Sequence, residues 1–100
     1  MSQNVYLAVD LGAGSGRVMA GVVENGKMKL EEIHRFPSPG ANLLGSHYWD
    51  IAQIFGCVKE GLKLAFAKYG DAVRSLGVDT WGVDYGLIDA QGRLLGMPFQ

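Results

Sequence analysis

Cysteine is scarce in this sequence, and neither positive nor negative charge is in clear excess. A single cysteine among 100 residues, Cys57, excludes an internal disulfide and fits a reducing cytoplasmic compartment. Nine basic residues against ten acidic ones give a net charge of −1, so the chain has no basic field for nucleic acid or for an anionic membrane surface.

Long apolar runs are also absent. A membrane helix needs about 20 consecutive apolar residues, and no stretch approaches that length. The polar start Ser2-Gln3-Asn4 and the short apolar run that ends at Asp10 do not resemble a signal peptide. These observations predict a cytoplasmic protein without a membrane partner. The composition, 48% hydrophobic and 19% charged, is ordinary for a globular chain, and the length fits one domain at most.

The most informative segment is Asp-Leu-Gly-Ala-Gly-Ser-Gly-Arg at residues 10–17, which directly follows an apolar run at residues 5–9. Glycine lets main-chain N–H groups approach phosphate oxygens closely, because no Cβ holds them off. Ser15 adds a hydroxyl donor, and Asp10 at the strand end can hold magnesium directly or through its waters. This layout suits a polyphosphate together with a divalent metal.

The spacing of this segment differs from the two common phosphate-binding motifs. Arg17 stands where the third glycine of G-x-G-x-x-G belongs, and G-x-x-x-x-G-K-[ST] is absent. The chain continues as a β-rich segment into Asn25-Gly26, a strong hairpin signal. A strand, a glycine turn and a returning strand predict a β-hairpin phosphate loop, as in the actin, hexokinase and heat-shock chaperone superfamily. A plain glycine-rich hairpin turn is the alternative.

The hydrophobic patterns predict an α/β fold. The predicted strands lie at residues 5–10, 17–24, 27–36 and 73–80. Asp50, with Gln53 three residues on, begins the one clear helix as a capping box, and Gly70 ends it. The apolar face of this helix, which includes Phe55 and Phe66, is predicted to pack into the core.

The remaining segments complete the predicted topology. A loop is expected from the break at residues 37–40 to about Trp49, and a hairpin at residues 83–99 around a turn at residues 89–92. Three antiparallel strands, a helix, a returning parallel strand and a hairpin form the N-terminal portion of a ribonuclease-H-like fold. No closing helix follows, so residues 1–100 are predicted to be part of a larger N-terminal domain.

A second informative segment is Gly-Val-Asp-Thr-Trp-Gly-Val-Asp-Tyr-Gly at residues 77–86. Ligands gather at the carboxyl ends of parallel strands, so this segment and the glycine loop face one cleft if their strands run parallel. Gly82 would let a polyol approach the backbone, Trp81 offers a flat apolar wall for sugar carbons, and Asp84 lies on the same side. A turn with a buried Trp and solvated aspartates is the alternative.

Several motifs together resemble a known family. They are residues 10–19, Glu-Ile-His-Arg-Phe at 32–36, Trp49-Asp50 and Gly-Val-Asp-Thr-Trp-Gly-Val-Asp at 77–84. In order and spacing these are similar to the N-terminal sequences of the rhamnulokinases, which belong to the FGGY carbohydrate kinases of the actin/hexokinase superfamily. The resemblance implies phosphorylation of L-rhamnulose to L-rhamnulose 1-phosphate, with ATP and Mg²⁺. Another FGGY sugar kinase, or a non-catalytic or chaperone-like ATP-binding member of the superfamily, is the alternative.

The resemblance also implies roles for individual residues. Asp10 would organise magnesium, and Gly82, flanked by Trp81 and Asp84, would contact the sugar. The loop residues that would contact the ATP phosphates are Ala13, Gly14, Ser15, Gly16 and Arg17.

The family commonly has Ser where this chain has Gly14, so one side-chain contact is missing. The family's catalytic base and adenosine pocket have no counterpart in this chain. We therefore expect the base beyond Gln100 and predict that the hundred residues alone are inactive. Asp79 and Asp84 are the local candidates for a base, although orienting sugar hydroxyls is the simpler role. His34 and His47 are isolated and do not form a metal set.

Overall fold

The computed structural model describes residues 3–100, which form a four-stranded sheet, a small hairpin and one long helix. The elements are β1 (Asn4–Leu11), β2 (Ser15–Glu24), β3 (Lys27–Pro37), β4 (Ala41–Leu43), β5 (Ser46–Tyr48), α1 (Ile51–Tyr69), a 3₁₀ turn (Gly70–Ala72) and β6 (Val73–Asp79). The sheet has the order β3-β2-β1-β6, in which β1 and β6 are parallel and the other neighbours antiparallel. The predicted α/β class and ribonuclease-H-like strand order are confirmed.

Helix α1 packs on one face of the sheet. Alternate residues of β1 point to opposite faces, and Val5 and Leu7 lie in the core, where they meet Ala20 of β2 and Ala65 of α1. The intervening Tyr6 is exposed on the opposite face, which no helix covers within residues 3–100. That uncovered face of the sheet also carries Asp10, because it is an even-numbered residue of β1.

Gly61 lets the helix lie close to the sheet. A Cβ built at this position would be 2.4 Å from Val18 Cγ2 and 3.2 Å from His34 Cβ, inside normal contact distance. The approach of α1 to β2 and β3 therefore depends on the missing side chain.

The ends of α1 agree with the prediction in part. Asp50 accepts a hydrogen bond from Gln53 N at 3.1 Å, and Gly70, at φ 51°, donates its N–H to Phe66 O. The second bond of the predicted capping box, from Asp50 N–H to the Gln53 side chain, is not the one that forms. The Gln53 side chain donates to Pro37 O at 2.9 Å instead. No helix in the described part of the chain is long and apolar enough to span a membrane.

The prediction that Phe55 and Phe66 are core residues is wrong. Their side chains are 59% and 48% exposed, because the apolar stripe of α1 is wider than the strip of sheet it covers. The helix is buried along a narrower line that includes Ile54, Gly61 and Ala65.

The prediction of a loop between β3 and α1 is also wrong, since β4 and β5 form a hairpin there. Its two turn residues, Leu44 and Gly45, both have positive φ, 50° and 82°. A two-residue hairpin turn of this kind normally carries Asn or Gly at its first position, so Leu44 gave no sequence signal.

A β-bulge explains why the alternation of residue types along β3 does not show which side chains face the core. The register with β2 shifts from Val18 opposite His34 to Met19 opposite Glu32, which leaves Ile33 as the extra residue. Residues before and after Ile33 therefore alternate in different phases.

The predicted C-terminal hairpin is present but short. Its turn at residues 89–92 is confirmed, with Asp89 N donating to Arg93 O at 2.8 Å and Leu95 N to Leu87 O at 2.9 Å. Beyond this point the chain leaves its partner and pairs with the end of β5 instead, through Trp49 N to Pro98 O and Gln100 N to His47 O.

Candidate functional site

Four charged residues form a row across the sheet at the carboxyl end of β1. In the strand register Asp10 is opposite Arg17 on one side and Asp79 on the other, and Arg17 is opposite Arg35. Residues paired across neighbouring strands lie on the same face, so all four are on the face that α1 does not cover. The row Arg35–Arg17–Asp10–Asp79 has two cations at one end and two carboxylates at the other.

The middle two members of this charged row are paired. Arg17 Nε donates to Asp10 Oδ2 at 3.0 Å, and the two side chains are 37% and 39% exposed. An ion pair this accessible contributes at most about 1 kcal/mol to stability, so its main effect is to orient both groups. The other N–H groups of the Arg17 guanidinium can still donate to an anion.

Arg35 at the cationic end is held by Glu32. Arg35 Nη2 donates to Glu32 Oε1 at 2.7 Å, and this bond lowers the pKa of Glu32 and raises that of Arg35. The Asp10 carboxylate adds a smaller upward effect on the pKa of Arg35. Arg35 is therefore held mainly by Glu32, a residue outside the row.

The carboxylate end of the row suits magnesium. Mg²⁺ prefers oxygen ligands and is usually held by one or two carboxylates plus substrate phosphates. Asp10 and Asp79 supply that kind of donor. Within residues 3–100 no group of three or more His, Cys, Asp or Glu side chains could hold a metal. The pair Asp10 and Asp79 therefore fits only a magnesium ion whose other ligands come from bound phosphate and water.

The glycine loop follows directly after the Asp10 strand. Gly12 N donates to Ser15 O at 2.9 Å, and Ser38 N donates to Gly14 O at 3.0 Å. Ala13 and Gly14 are exposed at the tip. Among the described residues, a Cβ on Gly14 would meet nothing within 4 Å. The tip of the loop is therefore open to a ligand.

Gly16 has a different role from the rest of the loop. It is buried, and a Cβ there would lie 2.4 Å from Phe36 Cζ and 3.1 Å from Leu11 Cδ2. This glycine lets β2 pack against Phe36. Among the residues predicted to contact phosphate, Gly16 is the one whose packing alone accounts for glycine.

Sequence reasoning missed Ser38, which is hydrogen-bonded to the glycine loop through its main chain. Its side chain is buried at 3% exposure, and its main-chain N–H holds Gly14. The surrounding Pro-Ser-Pro carried only the signal of a strand break.

The structure brings the predicted sugar-side residues next to the glycine loop. Trp81 Nε1 donates to Gly12 O at 3.1 Å, and its ring stacks on Trp49 with centroids 3.9 Å apart and planes inclined by 20°. Trp49 Nε1 donates in turn to Asp84 Oδ2 at 2.6 Å. We call this continuous chain of contacts, Gly12–Trp81–Trp49–Asp84, the indole bridge.

Trp49 is the member of the indole bridge to which sequence reasoning gave no role. It is only 2% exposed, and its main-chain N–H donates to Pro98 O. The signal that could have found it was the recurrence of Trp49-Asp50 among the motifs of the resemblance.

Gly82 lies beside the indole bridge in open space. It is exposed, its φ is not positive, and a Cβ would meet no atom of residues 3–100 within 4 Å. The turn therefore does not require glycine at this position, and there is room for a ligand against the backbone.

The two histidines have structural contacts. His34 packs against Phe36 with ring centroids 5.9 Å apart, and His47 Nδ1 is hydrogen-bonded to Asn42 Oδ1.

No protein-family model matches this chain. It is 46% identical over 99 residues to a rhamnulokinase of Bacteroides thetaiotaomicron, covering 99% of this chain and 20% of that protein. It is 47% identical over 87 residues to one of Oceanobacillus iheyensis, covering 87% and 18%, and 42% identical over 100 residues to one of Klebsiella pneumoniae, covering 98% and 20%.

A solved structure shows the same fold. The crystal structure of gluconate kinase from Lactobacillus acidophilus superposes on this chain with a TM-score of 0.78 at 16% identity, covering 98% of this chain and 20% of that one. The chain thus spans about a fifth of the length of the curated relatives and of the solved structure that it matches.

Proposed function

By its sequence this chain is a relative of the rhamnulokinases, and we propose that it carries the phosphate loop and part of the sugar site of an ATP-dependent sugar kinase. The substrate we propose is L-rhamnulose, phosphorylated to L-rhamnulose 1-phosphate with ATP and Mg²⁺. Residues 1–100 are then the first part of the kinase's N-terminal domain. The lone Cys57 supports a cytoplasmic location.

The observation that carries this proposal is the charged row beside the glycine loop. Phosphoryl transfer is catalysed mainly by positioning and by neutralising negative charge. The main-chain N–H groups of the exposed residues Ala13 and Gly14 and the remaining donors of Arg17 can hold phosphate oxygens. Asp10 and Asp79 would hold Mg²⁺, which bridges phosphate oxygens and offsets their charge when bound.

The sugar side is proposed to be the open space at Gly82. Asp84 is a poor candidate for the base there, because its Oδ2 already accepts the Trp49 N–H at 2.6 Å. A base must reach the attacking hydroxyl, so we place it outside these hundred residues, together with the adenosine pocket. For this reason we propose that the chain alone has no kinase activity.

Replacing Asp10 tests the proposed function. In the kinase that carries this chain, Asp10→Ala should lower kcat about 100-fold or more and leave the KM for the sugar nearly unchanged, since the lost charge acts on the transferring phosphoryl group. Steady-state kinetics of ketose-dependent ADP release measure both constants. Asp71→Ala, which removes an exposed carboxylate from the 3₁₀ turn, is the matched control.

Turnover of Asp10→Ala close to that of the control would contradict the assignment. ADP release that does not depend on any sugar would favour the chaperone-like alternative. Faster turnover on another sugar than on L-rhamnulose would favour a different FGGY kinase.

A further inference from the structure

The indole bridge connects two segments that are far apart in sequence. At one end Trp81 binds the main chain of the glycine loop, 69 residues earlier, and at the other end Trp49 binds Asp84, 35 residues later. Neither indole N–H donates to a residue near its own tryptophan in the sequence. The two rings are in contact with each other, so Trp49 adds a second link, through space, between the glycine loop with Trp81 and the carboxylate of Asp84 in the same 77–86 segment.

Both ends of the indole bridge are well defined physically. The bond from Trp49 Nε1 to the Asp84 carboxylate is charge-assisted and short, 2.6 Å, which is the stronger class of hydrogen bond. Trp49 itself is almost completely buried, so its ring has little freedom to move independently. At the other end, Gly12 O belongs to the residue whose N–H closes the loop onto Ser15. A change in the loop therefore reaches Trp81 directly.

We propose that Trp49 and Trp81 are positioning residues that couple occupancy of the glycine loop to the placement of Asp84 beside Gly82. This inference rests on the proposed function, because it assumes a phosphate ligand at the loop and a polyol at Gly82. It adds a role for Trp81 to that of a flat wall for sugar carbons, because one face of its ring stacks on Trp49 with the ring centroids 3.9 Å apart. Binding at one site then changes affinity at the other, and the effect must be reciprocal.

A purely structural role would have different consequences. If the two rings only fill space, replacing one by Phe lowers stability and weakens both ligands independently. If they transmit position, the same replacement abolishes the mutual effect of the ligands, because Phe keeps a stacked ring and lacks the N–H donor.

The decisive measurement is the affinity for L-rhamnulose with and without a non-hydrolysable ATP analogue and Mg²⁺. In the wild-type kinase we expect the nucleotide to change the sugar Kd at least about fivefold, a typical size for coupled sites. In Trp81→Phe and in Trp49→Phe this factor should fall to one. Tyr69→Phe, which removes a side-chain donor at the far end of α1, should keep the wild-type factor.

A second measurement does not require activity. With 5-fluorotryptophan incorporated, the ¹⁹F resonance lost in each Trp→Phe variant identifies its residue. Magnesium–ATP should shift the Trp81 and Trp49 resonances at the same midpoint. In Trp81→Phe the shift of Trp49 should be lost.

The outcomes separate the inference from the proposed function. If neither ATP nor the analogue binds the wild-type protein, the proposed function fails and the inference fails with it. If both ligands bind without affecting one another, or if the coupling persists in both Phe variants, the inference alone is overturned. A nucleotide-induced shift confined to Trp81 would also overturn it, because the signal would stop before Trp49.

Discussion

At the scale of single residues, Gly14 and Gly16 lie in one loop and have opposite steric surroundings. Gly14→Ser should leave stability within about 0.5 kcal/mol, because the site is exposed and open. Gly16→Ser should destabilise the protein by about 1–3 kcal/mol, because its Cβ would overlap Phe36. Urea denaturation of the two variants measures the difference. Equal losses would mean that the loop does not have the packing described.

Gly82 offers a residue-scale test on the sugar side. Gly82→Val should leave the melting temperature unchanged, since a Cβ there would meet no described residue within 4 Å and φ is not positive. In the kinase it should raise the KM for L-rhamnulose about 10-fold or more and that for ATP little, because overpacking a ligand contact costs about 1–3 kcal/mol. Thermal melting and the two Michaelis constants decide this. A destabilised enzyme with both constants raised alike would leave Gly82 without a sugar contact.

At the scale of elements, two glycines of α1 form a matched pair. Gly56→Ala should stabilise the protein by about 0.5–1 kcal/mol through helix propensity, since its Cβ would meet no atom of the part of the chain that the structure describes within 4 Å. Gly61→Ala gains the same propensity but places a Cβ 2.4 Å from Val18, which costs about 1–3 kcal/mol. The difference in unfolding free energy between the variants therefore isolates the packing of helix on sheet. Identical values would contradict the close approach at Gly61.

The elements that could be predicted are those whose signals are local in sequence. Asn25-Gly26 specified one hairpin turn, and Asp50 with Gln53 marked the start of the helix. The β4–β5 hairpin was not predicted, because Leu44 occupies a backbone conformation that a leucine side chain disfavours.

The candidate site divides in the same way. Asp10 and the glycine loop follow one another along the chain, so their sequence pattern by itself leads to the hypothesis of phosphate binding. The partnership of Trp49 with Asp84, and the alignment of Arg35 with Arg17, arise from strand register and tertiary packing. Such contacts have no local spacing for a pattern to detect.

At the scale of the whole molecule, the end of α1 is tied to β3 by Glu31. Both Lys68 Nζ and Tyr69 OH donate to its carboxylate. The bond with Lys68, followed by that with Tyr69, lowers the pKa of Glu31 from its usual 4.5, and the bond with Glu31 raises the pKa of Lys68 from 10.5. The packing of α1 on the sheet is therefore sensitive to pH at both extremes.

These shifts fix the sign of the pH dependence. The contribution of Glu31 is complete above about pH 4.5 and is lost as the pH falls through its lower folded pKa. The contribution of Lys68 is complete below about pH 10.5 and is lost as the pH rises through its higher folded pKa. Glu31→Gln should flatten the melting temperature against pH at both ends, whereas Glu60→Gln on the exposed side of α1 should not. Parallel profiles for wild type and Glu31→Gln would rule out this link.

The parallel pairing of β1 with β6 has a consequence for synthesis on the ribosome. Strands β1 to β3 are neighbours in sequence and can pair within microseconds of emerging. The other edge of β1 stays unpaired until β6 has been synthesised. The last residue of β6, Asp79, is 42 positions after the end of β3 at Pro37. At about 5–20 residues per second, translation of that interval takes roughly 2–8 s.

During those seconds the nascent chain presents the unpaired edge of an apolar strand, the kind of surface on which chains associate. Pulse-labelled hydrogen exchange on stalled nascent chains should show protected amides between β1 and β2 before any in β6. Slower codons placed between residues 37 and 79 would lengthen the exposure and raise the aggregated fraction, while the same codons placed after residue 79 would not.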